Sequence, residues 1–297
     1  MTLERLAPAL FVLLWSTGWV VARYAAPHAD PLFFLALRYA AAIGVFLVLC
    51  LIARAAWPRA RGEWGHAIFS GVLLHAIYLG GVWWAIAHGV PTALSGLIAA
   101  LQPLMTALSA PYLVGERLSP AQKWGIVLGL AGLLIAIVPN LMALDAATVG
   151  AALVPLVVNV LAMVAVTAGT IYQKRYLQTG DLMSIALLQY VGALVVTVPA
   201  TLLLEEQRIV WNIEVFIALA WSVFGLSAGA IALLLYLIRR GQVSRAASLI
   251  YLVPPTVAIQ AFAYFGEPLT APLIVGTAVV VIGVYLTNRK PQAEGPR

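Results

Sequence analysis

Gly115-Glu116-Arg117-Leu118-Ser119 breaks a long apolar run, and 151 positions later Gly266-Glu267-Pro268-Leu269-Thr270 breaks another in the same way. Pro103 lies in the run before the first break and Pro255 in the run before the second; Gly125 and Gly132 follow the first, Gly276 and Gly283 the second. Working outward, Arg23-Tyr24 matches Arg175-Tyr176, Asp30 and Tyr39 match Asp181 and Tyr190, and Gly89 matches Gly241, all at a spacing of 151 or 152. Different residue types repeating in one order, with one residue of slippage, make the chain two copies of one unit, 1–145 and 146–297. A period this long marks duplicated domains rather than a solenoid.

Composition sets the class. The chain is 63 % apolar and 9 % charged, with a mean hydropathy of +0.99, whereas soluble domains are roughly half apolar and about a quarter charged. Apolar runs fall at about 7–26, 32–53, 65–87, 91–114, 121–138, 149–173, 182–204, 213–238, 242–265 and 271–288. Each approaches or exceeds the roughly 20 residues a helix needs to cross the hydrocarbon of a bilayer. Ten spans follow, five per copy. Outer-membrane strands would be short and strictly alternating, whereas Val127–Val138 is continuously apolar, so lipid leaves helices as the spanning structure. The first run is long and lacks a small-residue cleavage site, so it reads as a span, with the protein expected to begin at Met1.

Fourteen of the 17 Lys and Arg, among them Arg54, Arg59, Arg61, Lys123, Lys174, Arg239 and Lys290, fall in loops that share a side with the N-terminus. By the positive-inside rule both termini are cytoplasmic. The pI near 9.6 is therefore a topology signal and not a nucleic-acid footprint. An odd number of spans per copy makes the second copy enter from the opposite face. Such inverted repeats recur in secondary transporters, because two near-equal packings of one unit open alternately to either side.

The paired Gly-Glu-x-Leu-Ser/Thr junctions, the spaced glycines after them, the five-plus-five layout and a length near 300 residues together resemble the drug/metabolite transporter superfamily, EamA type, over essentially the whole chain. Within that family the chain looks most like the YddG-type bacterial exporters of aromatic and other amino acids. The resemblance implies a ten-helix carrier of the bacterial inner membrane, acting without a cofactor. It also implies a substrate cavity between the halves, lined mainly by the first four helices of each, with the fifth and tenth helices packed away from it. Those are the helices of Gly125 and Gly276, and Gly125-x-x-x-Gly129 is a spacing that permits close helix contact, here read as internal packing rather than dimerisation. The chain is read as a monomer.

Residues that would line the path follow from polar or aromatic side chains at mid-span, which face a cavity or another helix rather than lipid. His75 and Tyr78 are three apart on one helical face, and each either lines the cavity or packs with its polar atoms satisfied. Trp15, Ser16, Thr17 and Trp19 offer aromatic surface and hydroxyls, with Trp15 divided between cavity and core. Trp57, Trp64, Trp124 and Trp211 read as interfacial belt residues. Ser95, Gln102 and Pro103 in the fourth span, with Ser244, Ser248, Tyr251, Pro254 and Pro255 in the ninth, complete the set. The prolines withdraw a donor from the carbonyls of Ala99 and Tyr251, leaving either a substrate contact, a hinge or a static kink. Asn159, Thr167, Thr170, Gln189 and Tyr190 are further polar positions that no spacing singles out. Arg38, whose repeat mate is Gln189, either pairs with a substrate carboxylate or snorkels toward the outer interface and Asp30.

No carboxylate occupies a span centre, so a proton or sodium relay built on acids is not visible. The expectation is facilitative movement, with coupling through His75 the alternative, since an unperturbed histidine titrates near a pKa of about 6.5. No phosphate-binding Gly-x-x-x-x-Gly-Lys-Ser/Thr loop is present, which excludes a nucleotide-driven pump within this chain. The scattered aspartates do not form the clustered acids a prenyltransferase needs to hold magnesium. His66, His75 and His88 lie at unequal phases and Cys50 is the single cysteine, so neither a metal site nor a disulfide is expected. A membrane sensor would carry an extra soluble domain, and export of drugs or other small metabolites on the same fold is the alternative function. A dedicated cation exporter would need an acid at mid-membrane, which favours zwitterionic amino acids.

Overall fold

The computed structural model describes residues 3–114, 118–142, 146–230, 232–233, 236 and 250–288. Its elements are α1 (Leu3–Ala25), α2 (Pro31–Ala53), α3 (Arg61–Gly71), a π-helical segment Val72–Ile77, α4 (Tyr78–Ala87), α5 (Thr92–Ile98), α6 (Leu101–Val114), α7 (Pro120–Met142), α8 (Ala146–Tyr176), α9 (Leu182–Leu204), α10 (Ile213–Ala220), a second π-helical segment Trp221–Gly229, α11 (Val253–Phe265) and α12 (Ala271–Thr287). No β-strand occurs among the described residues, as expected where each backbone polar group has to be satisfied within its own segment; one isolated antiparallel bridge joins Ala29 to Ile209.

Six helices among the described residues are long and apolar enough to cross a bilayer, including the continuous Arg61–Ala87 and Thr92–Ser109; Ala9–Ala25, Ile213–Gly229 and Ala271–Thr287 are shorter apolar helices. The sequence runs at 213–238 and 242–265 extend into 231–249, most of which lies outside the described residues, as do the junction Gly115–Arg117 and the sites Ser244 and Ser248. Helix starts carry the expected caps. Asp181 accepts from Met183 N–H at 2.8 Å, Asn212 from Val215 N–H at 2.9 Å and Thr270 from Leu273 N–H at 3.4 Å, satisfying donors that the first helical turn leaves unpaired.

Large apolar side chains remain on the outer faces, Leu203 at 83 % and Phe224 at 63 % exposure, which is where hydrocarbon would meet them. Inside, Tyr39, Phe34, Leu97, Met163 and Val257 are fully buried in one core.

Two backbone-to-backbone packings hold this core. Between α7 and α12, a Cβ on Gly132 would lie 2.7 Å from the Gly276 carbonyl oxygen, and one on Gly125 would lie 2.6 Å from that of Gly283. The spaced glycines therefore serve internal helix contact, as their spacing predicts. Between α3 and α9, Cβ atoms on Gly71 and Gly192 would overlap the carbonyl oxygens of Gln189 and Ile68 respectively, which clamps these two helices from opposite halves of the chain together.

Candidate functional site

Two adjoining cavities of 420 and 690 Å³ lie within the bundle and share Trp15, Trp19, Tyr78 and Gln102 in their walls. Both volumes fall in the roughly 300–1,000 Å³ range of small-molecule sites. The smaller is bounded by Arg38 of α2, His75 of the first π-segment, Trp83 of α4, Gln189 and Tyr190 of α9 and Ser227 of the second π-segment, so both halves of the chain contribute. The larger runs past Pro103, Tyr251 and Pro254 to the exposed Lys174 and Asn288 at one end of the bundle.

Most residues expected at the site stand here. Trp15, Trp19, Arg38, His75, Tyr78, Gln102, Tyr251, Pro103 and Pro254 line one or both cavities. Ser16, Ser95 and Pro255 do not. The Ser16 hydroxyl donates to the Leu13 carbonyl of its own helix at 2.9 Å, and fully buried Ser95 accepts from Asn159 Nδ2 at 2.8 Å, so both hydroxyls serve packing. Ala99 does not present a free carbonyl, because the chain turns at Ala99–Ala100 and Gln102 N–H donates to Ala99 O at 3.1 Å. The belt tryptophans Trp57, Trp64, Trp124 and Trp211 are each between 39 % and 65 % exposed.

Sequence reasoning missed Ser227, although it is the 152-spaced mate of His75, and it missed the π-segments, for which no residue pattern exists. A π-segment adds a residue to the turn, re-aims the side chains around it and occurs often at functional sites. Here Val72–Ile77 and Trp221–Gly229 overlap at a spacing of 152, and each places one cavity residue, His75 and Ser227. The His75 ring stacks on Tyr190 at 4.7 Å between centroids, its backbone carbonyl accepts from the Tyr39 hydroxyl at 2.9 Å, and its buried Nδ1 has no partner.

Charge in the walls is one-sided: no carboxylate lines either cavity among the described residues, while Arg38 and Lys174 do. Arg38 is 4 % exposed, and its Nη2 donates to Ser227 Oγ at 3.4 Å. The structure places Arg38 in the buried cavity wall beside Ser227 rather than at Asp30, which instead accepts the Arg208 N–H on Oδ2 at 2.8 Å and has the Arg208 guanidinium 3.6 Å from Oδ1.

At the end of the bundle opposite Lys174, the two halves of the chain are laced together. Leu32 and Phe33 N–H, at the start of α2, donate to Glu205 at 2.9 and 2.8 Å. Thr92 and Ala93 N–H, at the start of α5, donate to Glu267 at 2.9 and 3.0 Å. Each carboxylate thus sits on the positive end of a helix from the other half of the chain. Asp30 N–H to Arg208 O at 2.9 Å and Val210 N–H to His28 O at 2.8 Å add a short backbone ladder.

The profile described as the EamA-like transporter family matches the chain twice, over residues 6–138 and 153–289. The chain is 24 % identical over 299 residues to the uncharacterized transporter YvbV of Bacillus subtilis, covering 96 % of this chain and 92 % of that one. It is equally 24 % identical, over 286 residues, to a protein of Salmonella typhimurium named a probable amino-acid metabolite efflux pump, covering 93 % of this chain and 92 % of the relative. A crystal structure of a protein 20 % identical superposes with a TM-score of 0.67 and covers 96 % of this chain and 97 % of that one, which establishes a shared fold.

Proposed function

Because the chain belongs to the EamA-like transporter family, a family of membrane transporters and not of enzymes, we propose that it is a secondary transporter that exports neutral amino acids, aromatic ones among them, across the bacterial inner membrane. In this reading the units 1–145 and 146–297 are inverted five-helix repeats with cytoplasmic termini, and transport proceeds by alternating access in a monomer. The YddG-type exporters of aromatic amino acids are the pattern it follows. One observation carries the proposal: a cavity at the junction of the two copies, walled by Trp15, Trp19, Trp83, Tyr78 and Tyr190 and free of carboxylates among its described lining. Aromatic walls accept a large apolar side chain, and the missing acids disfavour a cation.

Matched π-segments and a family profile that fits the chain twice support the repeat reading. The laced end supports assigning this conformation to a state closed toward the outside, since Asp30, Glu205 and Glu267 belong to loops on that side in the proposed topology. The relative from Salmonella typhimurium named for amino-acid metabolite efflux supports the substrate class.

The test is uptake of radiolabelled phenylalanine, tryptophan, threonine and methionine into proteoliposomes, with and without an imposed pH gradient, alongside His75→Ala. Saturable uptake without the gradient that collapses in the variant is the expected result and identifies facilitative transport through the His75 cavity. Absence of uptake of every amino acid under both conditions would sink the proposal and leave drugs or other metabolites as cargo.

A further inference from the structure

The group in the cavity that no described residue neutralises is the Arg38 guanidinium. Arginine carries five N–H donors in a planar fork. Here one donor makes a long bond to Ser227, and the buried Nε has no partner. The only ion pair among the described residues is Arg208–Asp30, so no described acid neutralises Arg38. A permanently charged group in this setting is expensive unless something charged meets it. Two further orphaned nitrogens, Trp19 Nε1 and His75 Nδ1, belong to residues lining the same cavity.

We infer that Arg38 is the anchor for a carboxylate of the transported molecule, which accepts the guanidinium fork while its organic part lies against Tyr78, Trp83 and Tyr190. The inference rests on reading this cavity as the transport site. It narrows the substrate class to small organic carboxylates, zwitterionic or anionic, because the same charge repels cations from the cavity. Bidentate pairing of guanidinium with carboxylate is both strong and directional. Lysine, with a point charge and no fork, would serve poorly.

Matched acids and amides test the anchor: phenylalanine, 3-phenylpropionate, phenylalaninamide and phenethylamine, with the same series built on leucine. Binding to the full chain in detergent is read from the ligand-dependent rise in melting temperature, and transport of the same compounds is read in proteoliposomes. Acids, with or without the ammonium, should bind at least about tenfold more tightly than the amides and amines, and Arg38→Gln should weaken the acids by about 10–100-fold, the size of a charge-assisted pair. Arg38→Lys should recover only part of that loss. Without ligand, Arg38→Gln should melt at the same temperature as wild type or higher, whereas a guanidinium needed for the fold would lower it.

Amides that compete as well as acids would overturn the anchor, as would wild-type affinity for acids in Arg38→Gln or failure of every acid to bind. Unaltered amino-acid transport in that variant would remove the anchor and leave the transport reading standing. Acid binding that depends on Arg38 with no transport would do the reverse.

Discussion

Removing the Glu205 carboxylate tests the laced end of the bundle directly. Glu205 accepts two N–H groups at the start of α2 and also the Thr201 hydroxyl at 3.0 Å, so its side chain joins the end of α9 to the beginning of α2. A hydrogen bond to a charged group contributes about 1.5–3 kcal/mol when buried. Glu205 is partly buried, and water would take over the freed α2 donors, so roughly 1–1.5 kcal/mol per bond is the contribution that remains. Glu205→Ala should then weaken the closed arrangement by about 2–3 kcal/mol, equivalent to roughly 30–150-fold in a two-state equilibrium.

The assay begins from a chain in which the single native cysteine, Cys50, is replaced by serine and a reporter cysteine is placed at Thr170 in the cavity wall. A membrane-impermeant maleimide is applied from the face bearing Asp30 and Glu205. Labelling should be slow in the parent and at least about tenfold faster in Glu205→Ala, and substituting Glu267 as well should add to the effect. If the labelling rate stays at the parent value in both the single and the double variant while the protein remains folded, these carboxylates are ordinary helix caps and do not hold the bundle shut.

Ser95→Ala should strand the fully buried Asn159 side chain and cost about 1–3 kcal/mol in thermal or denaturant unfolding, whereas Ser95→Ala combined with Asn159→Leu should recover most of that loss, because the expense lies in an unsatisfied group. Gly192→Ala should separate α9 from α3 and lower stability by about 2 kcal/mol or more through overpacking against the Ile68 carbonyl, while Gly44→Ala, where an added Cβ meets nothing within 4 Å, should fall within about 0.5 kcal/mol of the parent. The Arg208 side chain is 73 % exposed, so Arg208→Gln should change stability by under about 1 kcal/mol. Asp30→Ala should cost more than that, because it also removes the acceptor of the Arg208 N–H, and the difference should persist in high salt.

The amino-acid order by itself determined the membrane class and much of the cavity wall, and it carries the 151-residue spacing from which the repeat reading starts. Long apolar runs have one solution in lipid, and residues such as Trp19, His75, Tyr78 and Gln102 stand out as polar or aromatic groups at depths where lipid does not accept them. Close internal packing of α7 was legible as well, since spaced glycines leave a groove on a helix, but which helix fills that groove was not. What joins the two halves of the chain was not legible either. Glu205 meets Leu32, and Glu267 meets Thr92, across more than 170 residues; a carboxylate in a loop carries no record of which distant helix it will cap. The same blindness hid the pairing of Ser95 with Asn159 and the missing counter-charge at Arg38. Whether a buried polar group is satisfied depends on which helix faces it, and periodicity within one helix does not contain that information. The π-segments belong to the same class, arising where a helix accommodates its neighbours rather than from any preference of Val72–Ile77 or Trp221–Gly229. Sequence therefore decides which residues must leave lipid, and only the tertiary packing decides which of them find partners within the fold and which, like Arg38, meet no described counter-charge.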